Sequence, residues 1–155
     1  MNVRLAVIRV SSPIFEVDDY LRRHGFAPDA VWRVGDRTMR GQIREDSGFN
    51  VCIGDEPSAD ALVEGLRAWI RSNRSALIEL RHHGAAAQLD VGMTVGSSAQ
   101  FTASIVLAPD DLALLAEVGL SYRVSAYPGS DSDDEDEDTD EGSTTASTSD
   151  GGPVE

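Results

Sequence analysis

The chain has 155 residues, of which 41% are hydrophobic, and it carries a formal net charge of −14 at pH 7. This length suits one domain with its own core, and a single cysteine excludes an internal disulfide framework. No apolar stretch approaches the roughly 20 residues that a membrane helix needs, and the first ten residues lack the features of a signal peptide. We therefore expect a cytoplasmic protein without a membrane segment.

The negative charge is concentrated near the end of the sequence. Eleven of the 27 acidic residues lie from Asp131 onward, where no basic residue occurs, so the first 128 residues hold 16 acids and 13 bases. The rest of this end is rich in Gly, Ser and Thr, and such a composition buries too little apolar surface to offset chain entropy. We predict one globular domain at residues 1–128 and a disordered acidic tail at residues 129–155.

In chain order, the first elements are a strand, a helix and two shorter strands. Residues 3–10 are rich in β-branched side chains and predict a strand. Ser12 is typical of a helix cap, and Gly25 of a helix end. Short strands are predicted at residues 30–34 and 49–53. The buried stripe of the first helix is predicted at Ile14, Val17 and Leu21.

The middle of the chain predicts a long helix followed by a hairpin. The helix begins at the cap Ser58, breaks near Asn73, and ends before Gly84. Residues 89–95 and 101–107 both alternate apolar and polar side chains, which is typical of strands with one buried face. A turn-forming segment separates them, so we expect these two strands to pair with each other.

The last predicted elements are a helix and a closing strand. The helix begins at Pro109, buries Leu112 and Leu115, and ends at Gly119, and the strand covers residues 120–127. Together the elements predict an α+β fold. We expect a mixed or antiparallel sheet of about five to seven strands, with two to three helices packed on one face.

Several short motifs resemble the bacterial domain-of-unknown-function family 4279. Leu21–Pro28 reads Leu-Arg-Arg-His-Gly-Phe-Ala-Pro, similar to the family's Leu-Gly-Ile-x-Pro signature, and Trp32–Asp36 is similar to its Trp-x-x-Gly-Asp/Glu signature. The family order continues with Phe49, the helix at Ser58, and the spaced residues Leu112, Leu115, Gly119 and Tyr122. The resemblance covers residues 3–127. It implies a small bacterial α+β domain without an established reaction, and an immunity role is among those it suggests.

The Trp-x-x-Gly-Asp motif and the Arg-rich segment after it form the most informative stretch for a site. Gly35 can shape a turn that presents polar and aromatic side chains around a cleft. Alternatively, the tryptophan belongs to the core and the charged side chains are solvated. The candidate partner- or ligand-binding residues are Trp32, Arg33, Asp36, Arg37 and Arg40.

Other reactive side chains have structural explanations. Cys52 lies in a predicted strand between apolar residues, so we expect a buried, unreactive thiol. His82 and His83 end a helix and lack the partners of a zinc motif. We predict no catalytic residue, no metal site and no cofactor. The competing hypothesis is a small enzyme that combines Asp36 with one of these histidines.

The arginines of the long helix follow a helical spacing. Arg67, Arg71 and Arg74 share one face, opposite the apolar stripe. Such a face is usually solvated, but it can also meet phosphate, an acidic partner or the chain's own tail.

These observations favour a non-enzymatic protein-binding module, with an immunity-like role as one candidate. Its acidic tail would aid contact with an unidentified basic protein partner, because opposite charges accelerate encounter. The alternative is a small enzyme or ligand-binding domain with its site near Trp32–Asp36. The net negative charge disfavours nucleic acid as a partner.

Overall fold

A computed structural model of the chain describes residues 4–96 and 102–129, in which five strands and four helices form an α+β fold. The strands are β1 (Arg4–Ser12), β2 (Ala30–Trp32), β3 (Ser47–Asp55), β4 (Ala86–Val95) and β5 (Leu120–Pro128). The helices are α1 (Val17–His24), α2 (Ala59–Ser72), α3 (Arg74–His82) and α4 (Pro109–Val118). The predicted fold class is confirmed, with one helix more than expected because the long helix divides in two. The predicted acidic tail lies outside the described residues.

The five strands form one mixed sheet in the order β2-β3-β1-β4-β5. The first strand of the sequence is therefore the central one, antiparallel to both β3 and β4. Strand β5 pairs with β4 in parallel. A parallel pair needs a crossover connection, and the segment that contains α4 provides it.

One face of the sheet is covered by the helices, and no described residue outside the sheet and its loops covers the other. Along β1, Ala6, Ile8 and Val10 are buried, whereas Arg9 between them is exposed. The same alternation in β3 and β4 places every second side chain in a core shared with the helices. That core includes Tyr20, Phe49, Leu62, Leu66, Ile70, Leu77, Leu80, Leu89 and Val91. We call the uncovered side the open face.

The predicted hairpin after β4 is wrong. Residues 102–107, the described part of its second arm, form no strand, and β4 pairs with β5 instead. Ala103, Ile105 and Leu107 nevertheless pack against the core. The alternation correctly indicated an extended segment with one side inward, but it contains no information about the backbone partner.

Helix α1 begins later than the sequence predicted. Ser12 is the last residue of β1, and its hydroxyl accepts a hydrogen bond from the Ile14 backbone N–H at 3.3 Å, so it closes a turn before the helix. Ile14 is consequently 77% exposed, which contradicts its predicted burial. Phe15 and Tyr20 take the inward positions together with Val17.

The break in the long helix is confirmed. Ser58 caps α2 by accepting from the Ala61 N–H at 3.2 Å. The Asn73 side-chain amide donates to the Trp69 carbonyl at 2.9 Å and separates α2 from α3. The Asn73 backbone N–H also donates to this carbonyl at 3.0 Å, so both donors of Asn73 hold the last turn of α2 where the chain changes direction.

At the start of α4 the inward side chain is Asp111 and not Leu112. Leu112 is 51% exposed, contrary to the prediction, whereas Asp111 is buried. The Asp111 carboxylate accepts from the Ala108 N–H at 2.8 Å and from Arg67 Nη2 at 2.9 Å. This capping geometry rotates the helix so that the carboxylate, rather than the adjacent leucine, faces α2.

The arginine stripe of the long helix serves to hold α4. Arg67 pairs with Asp111, and Arg74 pairs with Glu117, with its Nε 3.0 Å from the Glu117 carboxylate. The hydrogen bond from Arg67 lowers the pKa of Asp111. Two members of the stripe thus form ion pairs within the fold. Arg71 and Arg74 are both exposed, so the prediction of a solvated face holds for these two, and only Arg67 is half-buried.

Candidate functional site

The open face contains a groove of about 410 Å³ that crosses the strands near the C-terminal end of β1. Its main polar and aromatic side chains come from all five strands and from the loop between β2 and β3. They are Arg9, Trp32, Arg44, Asn50, Gln88 and Ser121. We call this the open-face groove.

Four of these side chains form one row across the sheet. Arg9 is opposite Asn50 on β3 and opposite Gln88 on β4, and Gln88 is opposite Ser121 on β5. Neighbouring strands lie about 4.8 Å apart, so the row spans roughly 14 Å. It presents donors and acceptors side by side at the floor of the groove, because residues in register share a face.

Arg9 is fixed by one end of its guanidinium group. Its Nε donates to Asp90 Oδ2 at 3.0 Å, and Asp90 also accepts from the Ser125 hydroxyl at 2.7 Å. The Asp90 side chain is 6% exposed, whereas that of Arg9 is 44% exposed. Within the described part of the chain the Arg9 Nη groups have no partner, so they remain available to a ligand.

Trp32 forms one wall of the groove. A glycine at position 48 allows its ring to lie against β3, because a Cβ there would come within 2.5 Å of the ring. The indole N–H donates to Asp46 at 3.0 Å, and the Arg44 guanidinium lies 4.5 Å from the ring centroid. Trp32 is half-buried, so it is held in place while part of it faces the groove.

Asn50 contributes the least satisfied polar group of the groove. Its side-chain Oδ1 is buried and has no hydrogen-bond partner among the described residues. A buried acceptor without a partner costs about 1–3 kcal/mol. Unsatisfied groups of this kind are rare in folded proteins and call for an explanation, of which a bound ligand is one.

A second, more apolar hollow of about 310 Å³ adjoins the groove on the other side of Arg9. Leu5 and Val7 line it from β1, and Gly92 lies beneath Tyr127. The open face therefore offers a polar region and an apolar region, separated by the Arg9–Asp90 pair.

The structure brings one of the five candidate residues, Trp32, into this groove. Arg33 turns to α1, where its Nε donates to Asp18 at 2.8 Å, and this hydrogen bond raises the pKa of Arg33. Asp36 accepts from the Arg33 backbone N–H at 2.7 Å and shapes the loop. Arg37 and Arg40 are exposed on the same loop.

Sequence reasoning missed the residues that form the row, which are Arg9, Asn50, Gln88 and Ser121. Arg9 interrupts an otherwise apolar strand, and Asn50 lies between Phe49 and Val51. A polar residue between two buried ones indicates an outward side chain in a strand. That signal was present, but assembling Arg9, Asn50 and Gln88 into one row requires the strand order, which their sequence positions do not give.

The predicted burial of Cys52 is wrong. Cys52 is exposed, and its backbone N–H donates to the Asp29 carboxylate. Its register partner is Val7, next to an irregularity in the pairing of β1 with β3. Cys52 has apolar neighbours in sequence, but its own side chain is on the uncovered side, because alternate strand residues face opposite sides.

The histidines predicted at a helix end lie at the end of α3. His83 is within 3.1 Å of Glu79 through its Nε2, and His82 is exposed. The Asp36 carboxylate accepts from the Arg33 backbone, whereas His83 lies against Glu79. The carboxylate and the histidine that the competing enzyme hypothesis combines therefore have different partners. Among the described residues, no group of three or more His, Cys, Asp or Glu is arranged to hold a metal ion.

The open-face groove is lined by side chains that form hydrogen bonds. Its principal polar side chains are two arginines, two amides and a hydroxyl. None of these groups ordinarily titrates near neutral pH, where general acid–base catalysis is most effective. They can instead donate to and accept from a polar ligand in a fixed geometry.

The fold and the groove together define a small α+β domain with one open sheet face. The profile of the family described as Domain of unknown function (DUF4279) matches residues 1–129, and the chain belongs to that family. The resemblance found in the sequence is thereby confirmed. No curated protein and no solved structure matches the chain. None of the described helices is long and apolar enough to cross a membrane.

Proposed function

We propose that this protein is a non-enzymatic binding module that holds an extended polar segment of a partner protein in the open-face groove. The observation that carries the proposal is the buried Oδ1 of Asn50 beside the Nη groups of Arg9, none of which has a hydrogen-bond partner among residues 4–96 and 102–129. A peptide backbone supplies both an N–H for Asn50 and a carbonyl for Arg9. The row across the sheet, roughly 14 Å at strand spacing, accommodates about four extended residues.

The acidic tail supports a role for charge in this contact. Positions 131–138 read Asp-Ser-Asp-Asp-Glu-Asp-Glu-Asp, with seven acids in eight residues. A basic partner would be attracted from a distance and then bound through the groove, so the tail mainly increases the association rate. An immunity-like role, in which the partner is a basic toxin, belongs to this proposal.

The test is affinity co-purification from the native host with full-length variants. We expect the unmodified chain to retain a partner that Asn50→Leu and Gln88→Ala lose or bind at least tenfold more weakly. Arg40→Ala, in the exposed loop, is the control and should retain it. If both groove variants hold the same partner as strongly as the unmodified chain, the groove is not the binding site.

The tail is tested in the same experiment by replacing the seven acids of residues 131–138 with Asn or Gln. Substitution is preferable to deletion from residue 129, because the Gly129 N–H donates to the Val95 carbonyl at 2.7 Å. Slower association at low salt, with little change at high salt, supports the proposed role of the tail. Equal association rates at low salt would contradict it.

A further inference from the structure

We infer that the outer edge of β5 is a second interaction surface, which pairs with an extended strand of a partner that carries Lys or Arg beside Pro128. The proposal concerns backbone pairing at the sheet edge and is independent of the open-face groove. It rests on the length of the edge, on its side chains and on the charge that follows it.

The two edges of the sheet differ in length. Strand β2 has three residues and is followed by a folded loop, whereas β5 has nine. Among the described residues nothing pairs with the outer edge of β5. A long unpaired edge presents a row of free N–H and C=O groups, which natural proteins usually shorten, cover or interrupt.

The side chains of β5 favour pairing. Tyr122, Val124 and Tyr127 are 37%, 43% and 55% exposed, and aromatic and β-branched residues of this kind stabilise cross-strand pairs. Arg123 is the only charged residue in the strand, and proline occurs only at its end, as Pro128. The usual devices that protect an edge from pairing are therefore nearly absent from its centre.

The acidic residues that follow β5 in the sequence favour a basic partner. The acidic run begins at Asp131, three residues after β5 ends, and continues to Asp138. A second copy of this chain would bring two such runs into one assembly and would be disfavoured by repulsion between chains of net charge −14. A strand with a basic cluster at the corresponding end gains both backbone hydrogen bonds and charge attraction.

The test uses two synthetic peptides, each a seven-residue alternation of Thr and Val with four arginines joined through glycine at one end. One carries the arginines at its C-terminus for parallel pairing, and the other at its N-terminus for antiparallel pairing. Binding to the full-length protein is followed by fluorescence anisotropy. Amide hydrogen exchange of residues 120–128 reports on the edge itself, because about half of the amides of an edge strand point outward and exchange freely.

We expect one peptide to bind and to slow exchange in residues 120–128. Methylation of its alternate backbone nitrogens should abolish the protection, since these nitrogens then cannot donate. Replacing the acids of residues 131–138 with Asn or Gln should weaken binding roughly tenfold at low salt and have little effect at high salt. Asn50→Leu should leave this binding unchanged, which separates it from the open-face groove.

Two results would overturn the inference. The first is binding of either peptide without any change in exchange over residues 120–128, which would place the contact on the tail alone. The second is the absence of protection for both peptides at up to about 1 mM, because backbone pairing aided by charge predicts at least that affinity.

Discussion

Individual polar side chains on the open face have unequal surroundings. Asp90 has two hydrogen-bond donors, and Arg9 is held through one of its nitrogens. Asn50 Oδ1, in contrast, has no partner in the described residues although it is buried. Residues that serve binding often make a protein less stable than it could be. If Asn50 serves binding, replacing it should therefore raise the free energy of unfolding.

Asn50→Leu should increase the free energy of unfolding by about 1–3 kcal/mol, because it removes a buried acceptor without a partner and keeps a similar shape. The measurement is urea denaturation followed by circular dichroism. Gln88→Leu is the matched control on the same row, since the Gln88 amide already has Ser121 within 3.4 Å. A destabilised Asn50→Leu variant would show that the amide has a structural partner.

Helices α2 and α4 are joined by a pair of oppositely charged residues. Arg67 donates two hydrogen bonds to Asp111, and the Asp111 side chain is only 6% exposed. Arg71 lies one turn further on α2; within the described chain it forms no side-chain hydrogen bond or ion pair, and only its charge acts on Asp111 by lowering the pKa of that carboxyl. The two arginines share a helix face but differ in what they contact.

Arg67→Ala should lower the free energy of unfolding by about 1–3 kcal/mol, because it leaves a buried carboxylate with fewer partners. Arg71→Ala, its neighbour on the same face, should change it by less than about 0.5 kcal/mol. Thermal unfolding of the two variants side by side is the measurement. Equal effects would show that the pair with Asp111 contributes nothing beyond the general charge of the stripe.

Elements whose signals are local were predicted well. Ser58 indicated the start of the long helix and Asn73 its break. Gly119 indicated the end of α4. These signals are reliable because a cap acts within one turn of the helix. The pairing of β4 with β5 was not predicted, since an alternating pattern specifies a face and not a neighbour. Of the five candidate binding residues only Trp32 lines the open-face groove, because the row joins strands that are distant in the sequence.

At the scale of the whole molecule, Glu79 connects the C-terminal end of α3 to the C-terminal end of α1. It accepts from Arg23 and lies 3.1 Å from His83 Nε2. His24 Nε2 is 2.9 Å from the other carboxylate oxygen, although it is not aligned as a hydrogen bond. The hydrogen bond with His83, followed by that with Arg23, lowers the pKa of Glu79 from 4.5 to about 2.

This lowered pKa predicts acid sensitivity of the entire fold. The stabilisation is fully present above pH 4.5, the ordinary value for glutamate, and is lost progressively as the pH falls towards 2. Glu79→Gln should therefore lower the melting temperature at pH 6 but lose less stability than the unmodified chain between pH 5 and pH 2.5. Parallel melting-temperature profiles for the two proteins would contradict this.

The central position of β1 has a consequence for biosynthesis. Arg9 is made before its partner Asp90, 81 residues later, and ribosomes add about 5–20 residues per second. The nascent chain therefore waits roughly 4–16 s before β1 can pair with β4. During that time the edge of β1 that later pairs with β4 is open, and the sheet over which the helices bury Ala6, Ile8 and Val10 is incomplete. A chaperone that recognises short apolar segments would find a binding site at β1 during this interval.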